Sequence, residues 1–178
     1  MNAEEPKIVF SIEPLGDQHY REGFSCGVPA LDRYLQKQAS QDAGRHVAAT
    51  FIITPDGTKI AGFYTLSAHS VHLLELPKDI AKRLPRYPDV PATLLGRLAA
   101  STEFRSEGIG ELLLVDALKR VLATTKQIAS AAVVVDAKDE NARRFYLRYG
   151  FIPLPTQPNR LFYPVKAIVK LFGPAALK

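Results

Sequence analysis

Two neighbouring stretches, LGRLAAS at residues 95–101 and FRSEGIG at residues 104–110, decide how this chain folds. The first is typical of a strand, and the second ends in two glycines before a segment with apolar residues at helical spacing. A helix that starts after such a turn exposes successive backbone N–H groups, and its dipole favours an anion there. Residues 105–110 are therefore a candidate pyrophosphate site, to which Arg105 can add a charge-assisted hydrogen bond.

Two common phosphate-binding motifs do not fit this turn. A P-loop requires Gly-Lys-Ser/Thr, whereas Gly110 is followed by Glu111 and Leu112. The dinucleotide-binding fingerprint requires a third glycine or alanine at a position that Leu113 occupies. For the motif taken alone, a plain turn that starts a helix is the alternative interpretation.

The composition is that of one ordinary globular domain. The chain has 178 residues, of which 47% are hydrophobic and 23% charged, so we expect a single domain over 1–178. The lone cysteine, Cys26, excludes an internal disulfide and a cysteine-based zinc cluster, and the four histidines show no helical metal pair. An acidic start and the lack of an apolar run of about 20 residues argue against secretion and membrane insertion, which favours the cytoplasm.

The rest of the chain alternates between predicted strands and helices. Pro55-Asp56-Gly57 is a strong turn signal and predicts a hairpin between strands at 47–54 and 59–74. Prolines interrupt the stretch 77–91, which is predicted as a surface excursion with a short helix at most. The other predicted elements are strands at 8–12, 93–100, 131–135 and 160–165, and helices that begin at 29, at 108, at 139 and after 165. This order indicates a mixed α/β fold.

A second informative stretch, NARRFYLRYGF at residues 141–151, is predicted as a basic helix closed by Gly150. At about 100° per residue, Phe145, Tyr146 and Tyr149 share one arc of the helix while Arg148 points away. Tyr146 is therefore predicted to lie on the inner face of a basic helix.

Together these segments resemble the GNAT-type N-acetyltransferases, whose acetyl-CoA pyrophosphate loop matches 105–110 and whose later helix matches 141–151. The motifs FxCGxPxLxxYL at 24–35, GRLA at 96–99, VDA at 135–137 and FYxxYGF at 145–151 are further similar to the acetyltransferase toxins of bacterial type II toxin–antitoxin modules. The resemblance covers about residues 10–165. It implies the GNAT fold, a central and mostly antiparallel twisted sheet with splayed strands, flanked by helices.

The resemblance implies a role for each matching residue. The pantetheine arm of acetyl-CoA would bind the main chain of Leu98, Ala99 and Ala100, and Asn141 would contact the coenzyme from the later helix. The pyrophosphate would contact Arg105, Ser106, Glu107, Gly108, Ile109 and Gly110, with Glu107 using its backbone. Tyr146 matches the catalytic tyrosine, a general acid that protonates the coenzyme A thiolate. A core tyrosine with its hydroxyl bonded to the backbone is the alternative for Tyr146.

The toxins of this family acetylate the α-amino group of aminoacyl-tRNA, which blocks translation. No strong general base is evident in the sequence, and Glu103 is a weak candidate. An α-amino group has a pKa of about 7.7–8.0, so part of it is neutral at pH 7 without a strong base. The resemblance further implies a homodimer and a ribbon-helix-helix antitoxin whose C-terminal segment covers the active site.

Clustered basic residues are candidates for holding the acceptor stem of the tRNA through its phosphates. Solvated surface charge is the alternative for these residues. The candidates are Lys78, Lys82, Arg83, Arg86, Lys138, Arg143 and Arg148.

Two other functions stay open at this point. The first is an enzyme of the same fold that acetylates a small amine, such as a polyamine or drug, or a protein N-terminus. The second is a non-catalytic regulator that binds coenzyme A or nucleic acid.

Overall fold

The computed structural model describes residues 4–173. The strands are β1 (Ser11–Pro14), β2 (Ala49–Thr54), β3 (Gly62–His72), β4 (Asp89–Ala100), β5 (Ala132–Asp136), β6 (Ile152–Leu154) and β7 (Gln157–Pro164). The α-helices are α1 (Pro29–Arg33), α2 (Ala39–Gly44), α3 (Lys78–Ala81), α4 (Ile109–Thr124), α5 (Glu140–Arg148) and α6 (Val165–Phe172). A π-helical turn covers Tyr34–Gln38, and 3-10 turns cover Leu73–Glu75 and Thr102–Phe104.

Within the described residues, the strands form one seven-stranded sheet in the order β1-β2-β3-β4-β5-β7-β6. The β4–β5 pair is parallel, whereas β1–β2, β5–β7 and β6–β7 are antiparallel. The prediction of a mixed α/β fold with a mostly antiparallel sheet is confirmed. By density of contacts, these residues divide into two compact units: a first unit of residues up to Thr65 with Arg97–Asp116, and a second unit of Leu66–Gly96 with the residues from Ala117 onward.

In the first unit, β1 pairs with β2 from Ser11–Thr54 to Pro14–Phe51. The strand predicted at 8–12 therefore begins and ends later, and Pro14 belongs to it. An edge strand tolerates proline because one side of its backbone has no strand partner. The helix predicted to start at Pro29 does so, with Val28 in an extended conformation as its N-cap.

The predicted turn at 55–57 also forms in the first unit. Oδ1 of Asp56 accepts hydrogen bonds from the backbone N–H groups of Lys59 (2.8 Å) and Thr58 (2.9 Å). These bonds lower the pKa of the Asp56 carboxyl, and the bond from the Lys59 amide has the largest effect. Gly57 has φ +85°, which a glycine adopts at little cost.

In the second unit, β5 lies between β4 and β7. Its register runs from Ala92–Ala132 to Leu95–Val135 on the β4 side, and the β5–β7 ladder ends at Asp136–Arg160. A core cluster in this unit contains Val71, Leu76, Val90, Ala92, Ala132, Val134, Leu154 and Phe162.

Two predictions of strand length in the second unit were wrong. The strand expected at 93–100 begins at Asp89 and includes Pro91, whose carbonyl accepts from the Ala131 N–H at 2.8 Å. The strand expected at 160–165 is the second half of a hairpin, with β6 and β7 paired through Ile152–Phe162. The excursion predicted at 77–91 is shorter than expected, because residues 89–91 belong to β4, and its helix, α3, is only four residues long, as predicted.

No helix within residues 4–173 is long and apolar enough to cross a membrane. The same stretch contains no group of three or more His, Cys, Asp or Glu side chains that could hold a metal ion.

Candidate active site

The turn at 105–110, in the first unit, presents backbone N–H groups that have no acceptor among the described residues. Within residues 4–173, no backbone carbonyl accepts a hydrogen bond from the N–H of Arg105, Ser106, Gly108, Ile109 or Gly110. These groups precede and begin the 16-residue helix α4, whose dipole is positive at that end. The turn can therefore donate several hydrogen bonds to one anion, which is what a diphosphate requires.

Glu107 differs from its neighbours in this turn. Its N–H donates to the Phe104 carbonyl at 3.1 Å, which closes the turn after the 3-10 segment. Its carboxylate is exposed and carries the wrong charge for an anion site. The backbone contact expected of Glu107 is therefore already used inside the protein.

Gly108 and Gly62 shape this turn through their lack of a side chain. Gly108 has φ +67°, a left-handed conformation that turns the chain into α4. A Cβ on Gly62, at the start of β3, would lie 2.7 Å from Ile109 and 2.8 Å from the carbonyl oxygen of Ala99. Gly62 thus lets the first turn of α4 and the end of β4 approach β3 closely.

The FxCG motif at 24–27 lies against the same turn. The Thr102 N–H donates to the Ser25 carbonyl at 2.9 Å, and a Cβ on Gly27 would lie 3.9 Å from the Arg105 guanidinium. The Cys26 N–H donates to Oδ1 of Asp32 at 2.8 Å, which ties the motif to α1. These contacts explain why the FxCG motif and the turn at 105–110 occur in the same protein.

The pairing of β4 changes along its length. Its ladder with β5 ends at Leu95–Val135, whereas β4 itself continues to Ala100. Leu98, Ala99 and Ala100 are beyond the last β4–β5 pair, as expected for a strand that splays from its neighbour. Their main-chain groups are suited to pair with an extended ligand such as a pantetheine arm.

Arg97 and Glu103 are engaged in the first unit. The Arg97 guanidinium lies 3.5 Å from the centre of the Tyr34 ring, and the Tyr34 hydroxyl donates to Asp42 at 2.9 Å. Burial, more than the bond to Asp42, raises the pKa of Tyr34. Glu103 forms an ion pair with Lys59, so it is a poor candidate for a general base.

In the second unit, α5 ends in a Schellman motif built by the sequence Tyr-Gly-Phe. The N–H of Phe151 donates to the Tyr146 carbonyl at 3.1 Å, and that of Gly150 donates to the Leu147 carbonyl at 3.1 Å. Gly150 has φ +95°, and a Cβ there would lie 3.0 Å from the Tyr163 ring. The rings of Phe151 and Tyr146 pack at 5.2 Å, which is the apolar contact that usually accompanies this motif.

This helix end holds Tyr146 as the sequence predicts. The residue is 7% exposed and packs edge-on against Phe145 and Phe151, whereas Arg144 and Arg148 are exposed. Burial raises the pKa of the Tyr146 phenol, so the phenol stays protonated well above neutral pH. Within the described part of the chain its hydroxyl has no hydrogen-bond partner, which leaves that donor available to a ligand.

The structure divides the predicted site residues between the two units. The turn at 105–110 and residues 98–100 belong to the first unit, whereas Asn141 and Tyr146 belong to α5 in the second. Asn141 is exposed in the first turn of α5, next to the N-cap Asp139, whose carboxylate accepts from the Ala142 N–H at 2.8 Å.

The candidate tRNA-binding residues all belong to the second unit. Lys78, Lys82, Arg83 and Arg86 are exposed on and after α3. Lys138 and Arg148 are exposed too, and the Arg148 guanidinium lies 5.2 Å from the Tyr149 ring. Arg143 is half-buried and donates to the Pro158 carbonyl at 3.0 Å, so part of its role is to hold α5 to β7.

Sequence reasoning missed an ion pair at the end of β5. Asp136, inside the VDA motif, accepts two hydrogen bonds from Arg160 on β7, at 2.7 and 2.9 Å. These bonds lower the pKa of the Asp136 carboxyl. Burial, and then the positive charge of Arg160, lower the pKa of His69 on β3. The residues are 24 positions apart in sequence, and only the β5–β7 register brings them together.

Comparison with known proteins finds a matching family model and similar toxins. The family model of the acetyltransferase (GNAT) domain matches residues 91–161. A probable toxin TacT of Sinorhizobium fredii is 32% identical over 171 residues, which cover 91% of this chain and 94% of that protein. A tRNA-acetylating toxin of Mycobacterium tuberculosis is 34% identical over 150 residues, which cover 84% of this chain and 89% of that protein.

Solved structures of similar toxins superpose over nearly the whole chain. AtaT complexed with acetyl-methionyl-tRNAfMet matches with a TM-score of 0.86 and 29% identity over 93% of this chain and all of that one. A tyrosine-to-phenylalanine mutant of AtaT, bound to the C-terminus of the antitoxin AtaR and to acetyl-CoA, matches with a TM-score of 0.78 and 26% identity over 92% and 98%. The chain therefore belongs to the GNAT-type acetyltransferase toxins.

Proposed function

We propose that this protein transfers the acetyl group of acetyl-CoA to the α-amino group of an aminoacyl-tRNA and so blocks translation. The observation that carries the proposal is a set of five N–H groups without an acceptor in the described protein, those of Arg105, Ser106, Gly108, Ile109 and Gly110. The tRNA-acetylating relative and the AtaT complex with acetyl-methionyl-tRNA support the choice of acceptor.

The first unit would hold the coenzyme. The N–H groups of Arg105, Ser106, Gly108, Ile109 and Gly110 would donate to the diphosphate, and the Arg105 side chain would add a charged contact. Leu98, Ala99 and Ala100 would pair with the pantetheine arm through their main chain. Asn141 in the second unit would contact the coenzyme from α5.

Tyr146 would act as the general acid. When the amine nitrogen bonds to the acetyl carbon, the carbon–sulfur bond breaks and negative charge collects on sulfur. The buried phenol, protonated and without a protein partner in the described residues, would donate its proton to that sulfur. The proton that the amine loses restores the balance through solvent, and no covalent acetyl-enzyme is needed.

The acceptor amine explains why no strong base is required. In aminoacyl-tRNA the carboxyl of the amino acid is esterified and its α-amino group is free. That α-amino group loses its proton far more easily than a lysine side chain, whose pKa is about 10.4. Glu103 is paired with Lys59, which fits a reaction that needs no carboxylate base. The same chemistry would serve any α-amine, so the tRNA body must supply the specificity.

The basic residues of the second unit would supply that specificity through phosphate contacts. Lys78, Lys82, Arg83 and Arg86 are exposed, so their charges are available to a polyanion. Lys138 and Arg148 would add to this surface from the ends of α5. We give Arg143 a smaller share, because its guanidinium also holds Pro158.

We further propose that an antitoxin neutralises the protein. The AtaT complex with the C-terminus of AtaR supports such a partner. A ribbon-helix-helix fold for the antitoxin, a homodimeric toxin and a cytoplasmic location, where translation takes place, are parts of this proposal.

The direct experiment is transfer of radiolabelled acetyl from acetyl-CoA to total charged tRNA. We expect label on charged tRNA, and none on deacylated tRNA or on free amino acids. Label on free amines or protein N-termini at the same rate would favour a small-amine or N-terminal acetyltransferase. Coenzyme binding without transfer to any acceptor would favour a regulator.

A further inference from the structure

A second candidate binding site lies in the second unit, away from the residues assigned above to acetyl-CoA. It is a cavity of about 610 Å³, lined by residues of α3, α6 and the strands β3, β4, β5 and β7. Its volume falls within the range of about 300–1,000 Å³ that is typical of small-molecule sites. Among the residues of its lining, Arg83 alone also has a role in the proposed acetyl transfer, as a candidate tRNA contact.

The most buried residues of the cavity lining are apolar. They include Ala92, Ala132 and Phe162, which are only 6%, 8% and 1% exposed. The two alanines create the depth, because larger side chains at these positions would fill the space. An alkyl chain has the apolar surface that such a lining can bury.

The lining offers little to a polar ligand. Its apolar walls include Val71, Leu76, Ile80 and Val169. Ser130 is a polar residue of the lining, and its hydroxyl is already bonded to Thr93 at 2.9 Å and to the Ala132 carbonyl at 3.2 Å. The apolar part of the lining therefore favours an apolar group over water.

The charged residues of the cavity lining carry a net positive charge. Arg83, Lys166 and Lys170 carry positive charge, whereas Asp79 is the carboxylate among the lining residues. Within residues 4–173 none of these three cations forms an ion pair with a carboxylate. All three are exposed, so their charges are at the mouth of the cavity.

We propose that this cavity binds a free medium-chain fatty carboxylate. The alkyl chain would lie over Ala92, Ala132 and Phe162, and the carboxylate would lie at the mouth beside Arg83, Lys166 and Lys170. Apolar depth accounts for the chain and the excess of positive charge accounts for the anionic head. The proposal does not depend on the acetyl transfer proposed above.

Calorimetric titration of the full-length protein with octanoate, decanoate and dodecanoate tests the chain. We expect affinity to rise about fourfold for each added methylene, as burial of a methylene predicts, until the cavity is full. Dodecyltrimethylammonium, with an equally long chain and the opposite charge, should bind at least about tenfold more weakly than dodecanoate. Equal binding of the two amphiphiles, or no dependence on chain length, would overturn the proposal.

Variants on α6 test the location. Ala167→Trp places a bulky ring in the cavity from a half-buried helix position, and we expect dodecanoate affinity to fall more than about tenfold. Leu171→Trp is the matched control, because Leu171 is 58% exposed on the same helix and does not line the cavity. Equal loss in both variants, or no loss in Ala167→Trp, would contradict the assignment.

Charge reversal tests the mouth. The double variant Lys166→Glu with Lys170→Glu should weaken dodecanoate binding about tenfold and strengthen binding of dodecyltrimethylammonium. Lys37→Glu with Lys126→Glu changes the net charge equally at exposed positions outside the cavity, and it should leave both affinities unchanged. Binding to phosphatidylglycerol vesicles without binding of free dodecanoate would overturn the proposal in favour of a membrane surface.

Discussion

At the N-terminus of α4, the N–H groups of Arg105, Ser106, Gly108, Ile109 and Gly110 have no backbone acceptor within residues 4–173. At the C-terminus of α5, the N–H groups of Tyr149, Gly150 and Phe151 all donate to the carbonyls of Tyr146 or Leu147. Unsatisfied amides are tolerated where solvent or a ligand can reach them, and satisfied amides fix a conformation. This difference supports our proposal that the first helix end binds the coenzyme and that the second positions Tyr146.

The largest expected effect comes from Tyr146, the side chain that the C-terminus of α5 positions. Tyr146→Phe removes the proposed acid and should lower the rate of acetyl transfer by about 10²–10⁴-fold, with acetyl-CoA affinity unchanged. The matched control is Tyr149→Phe, which removes a hydroxyl from the same helix and should retain activity. Single-turnover transfer of labelled acetyl to charged tRNA measures both. Full activity in Tyr146→Phe would exclude the phenol as the acid.

Charge reversal in the second unit should have the next largest effect. Lys78→Glu with Lys82→Glu should raise the KM for charged tRNA about tenfold or more and flatten its salt dependence by about one slope unit for each lost phosphate contact. Acetyl-CoA affinity should not change. The control is Lys37→Glu with Lys126→Glu, which alters the same total charge elsewhere. An equal rise in KM in the control pair would show that net charge, and not a contact by Lys78 or Lys82, causes the effect.

Coenzyme binding at the N-terminus of α4 should depend on Arg105 to a smaller degree. Arg105→Ala removes one charged contact to the diphosphate and should weaken acetyl-CoA binding about tenfold, since the backbone amides are retained. Arg144→Ala removes an exposed arginine on α5 and serves as the control. Titration calorimetry measures both. Unchanged binding in Arg105→Ala would place the diphosphate away from this side chain.

The C-terminus of α5, whose amides are all hydrogen-bonded, should depend on Gly150 for its stability. Gly150→Ala forces a left-handed conformation on a residue with a Cβ and crowds Tyr163, so we expect the free energy of unfolding to fall by about 1–2 kcal/mol. Gly44→Ala is the control, because a Cβ there meets nothing within 4 Å. Urea unfolding measures both variants. Equal stability of the two would contradict the Schellman motif.

The smallest expected effect concerns Asp136. Its pKa is lowered by the hydrogen bonds from Arg160, so the pair stabilises the fold above the ordinary aspartate pKa and loses that contribution as the pH falls through the lowered value. Because the pair is partly exposed, we expect less than about 1 kcal/mol. Unfolding of Asp136→Asn and of the natural chain, compared at pH 7 and below pH 3, should converge at the lower pH. A constant difference would show that charge is not the cause.

Local sequence signals predicted much of the fold. The turn at 55–57, the helix start at Pro29 and the burial of Tyr146 follow from short-range geometry, and each is confirmed. The strand β6 was missed because it is three residues long, contains Pro153 and exists only through its pairing with β7.

The site was less accessible to sequence reasoning where it depends on distant contacts. The stacking of Arg97 on Tyr34 joins residues 63 positions apart, and the Asp136–Arg160 pair depends on strand register. The use of the Glu107 amide inside its own turn follows from the 3-10 segment before it, which the glycine pattern does not reveal. The predicted roles of residues 98–100, 105–110, Asn141 and Tyr146 stay predictions.

Amide hydrogen exchange, resolved by residue with and without acetyl-CoA, tests the central claim most directly. We predict that the coenzyme slows exchange at Arg105, Ser106, Gly108, Ile109 and Gly110, whereas Gly150 and Phe151 exchange at the same slow rate in both states. Unchanged exchange at 105–110 with the coenzyme bound would contradict the claim that these amides hold its diphosphate.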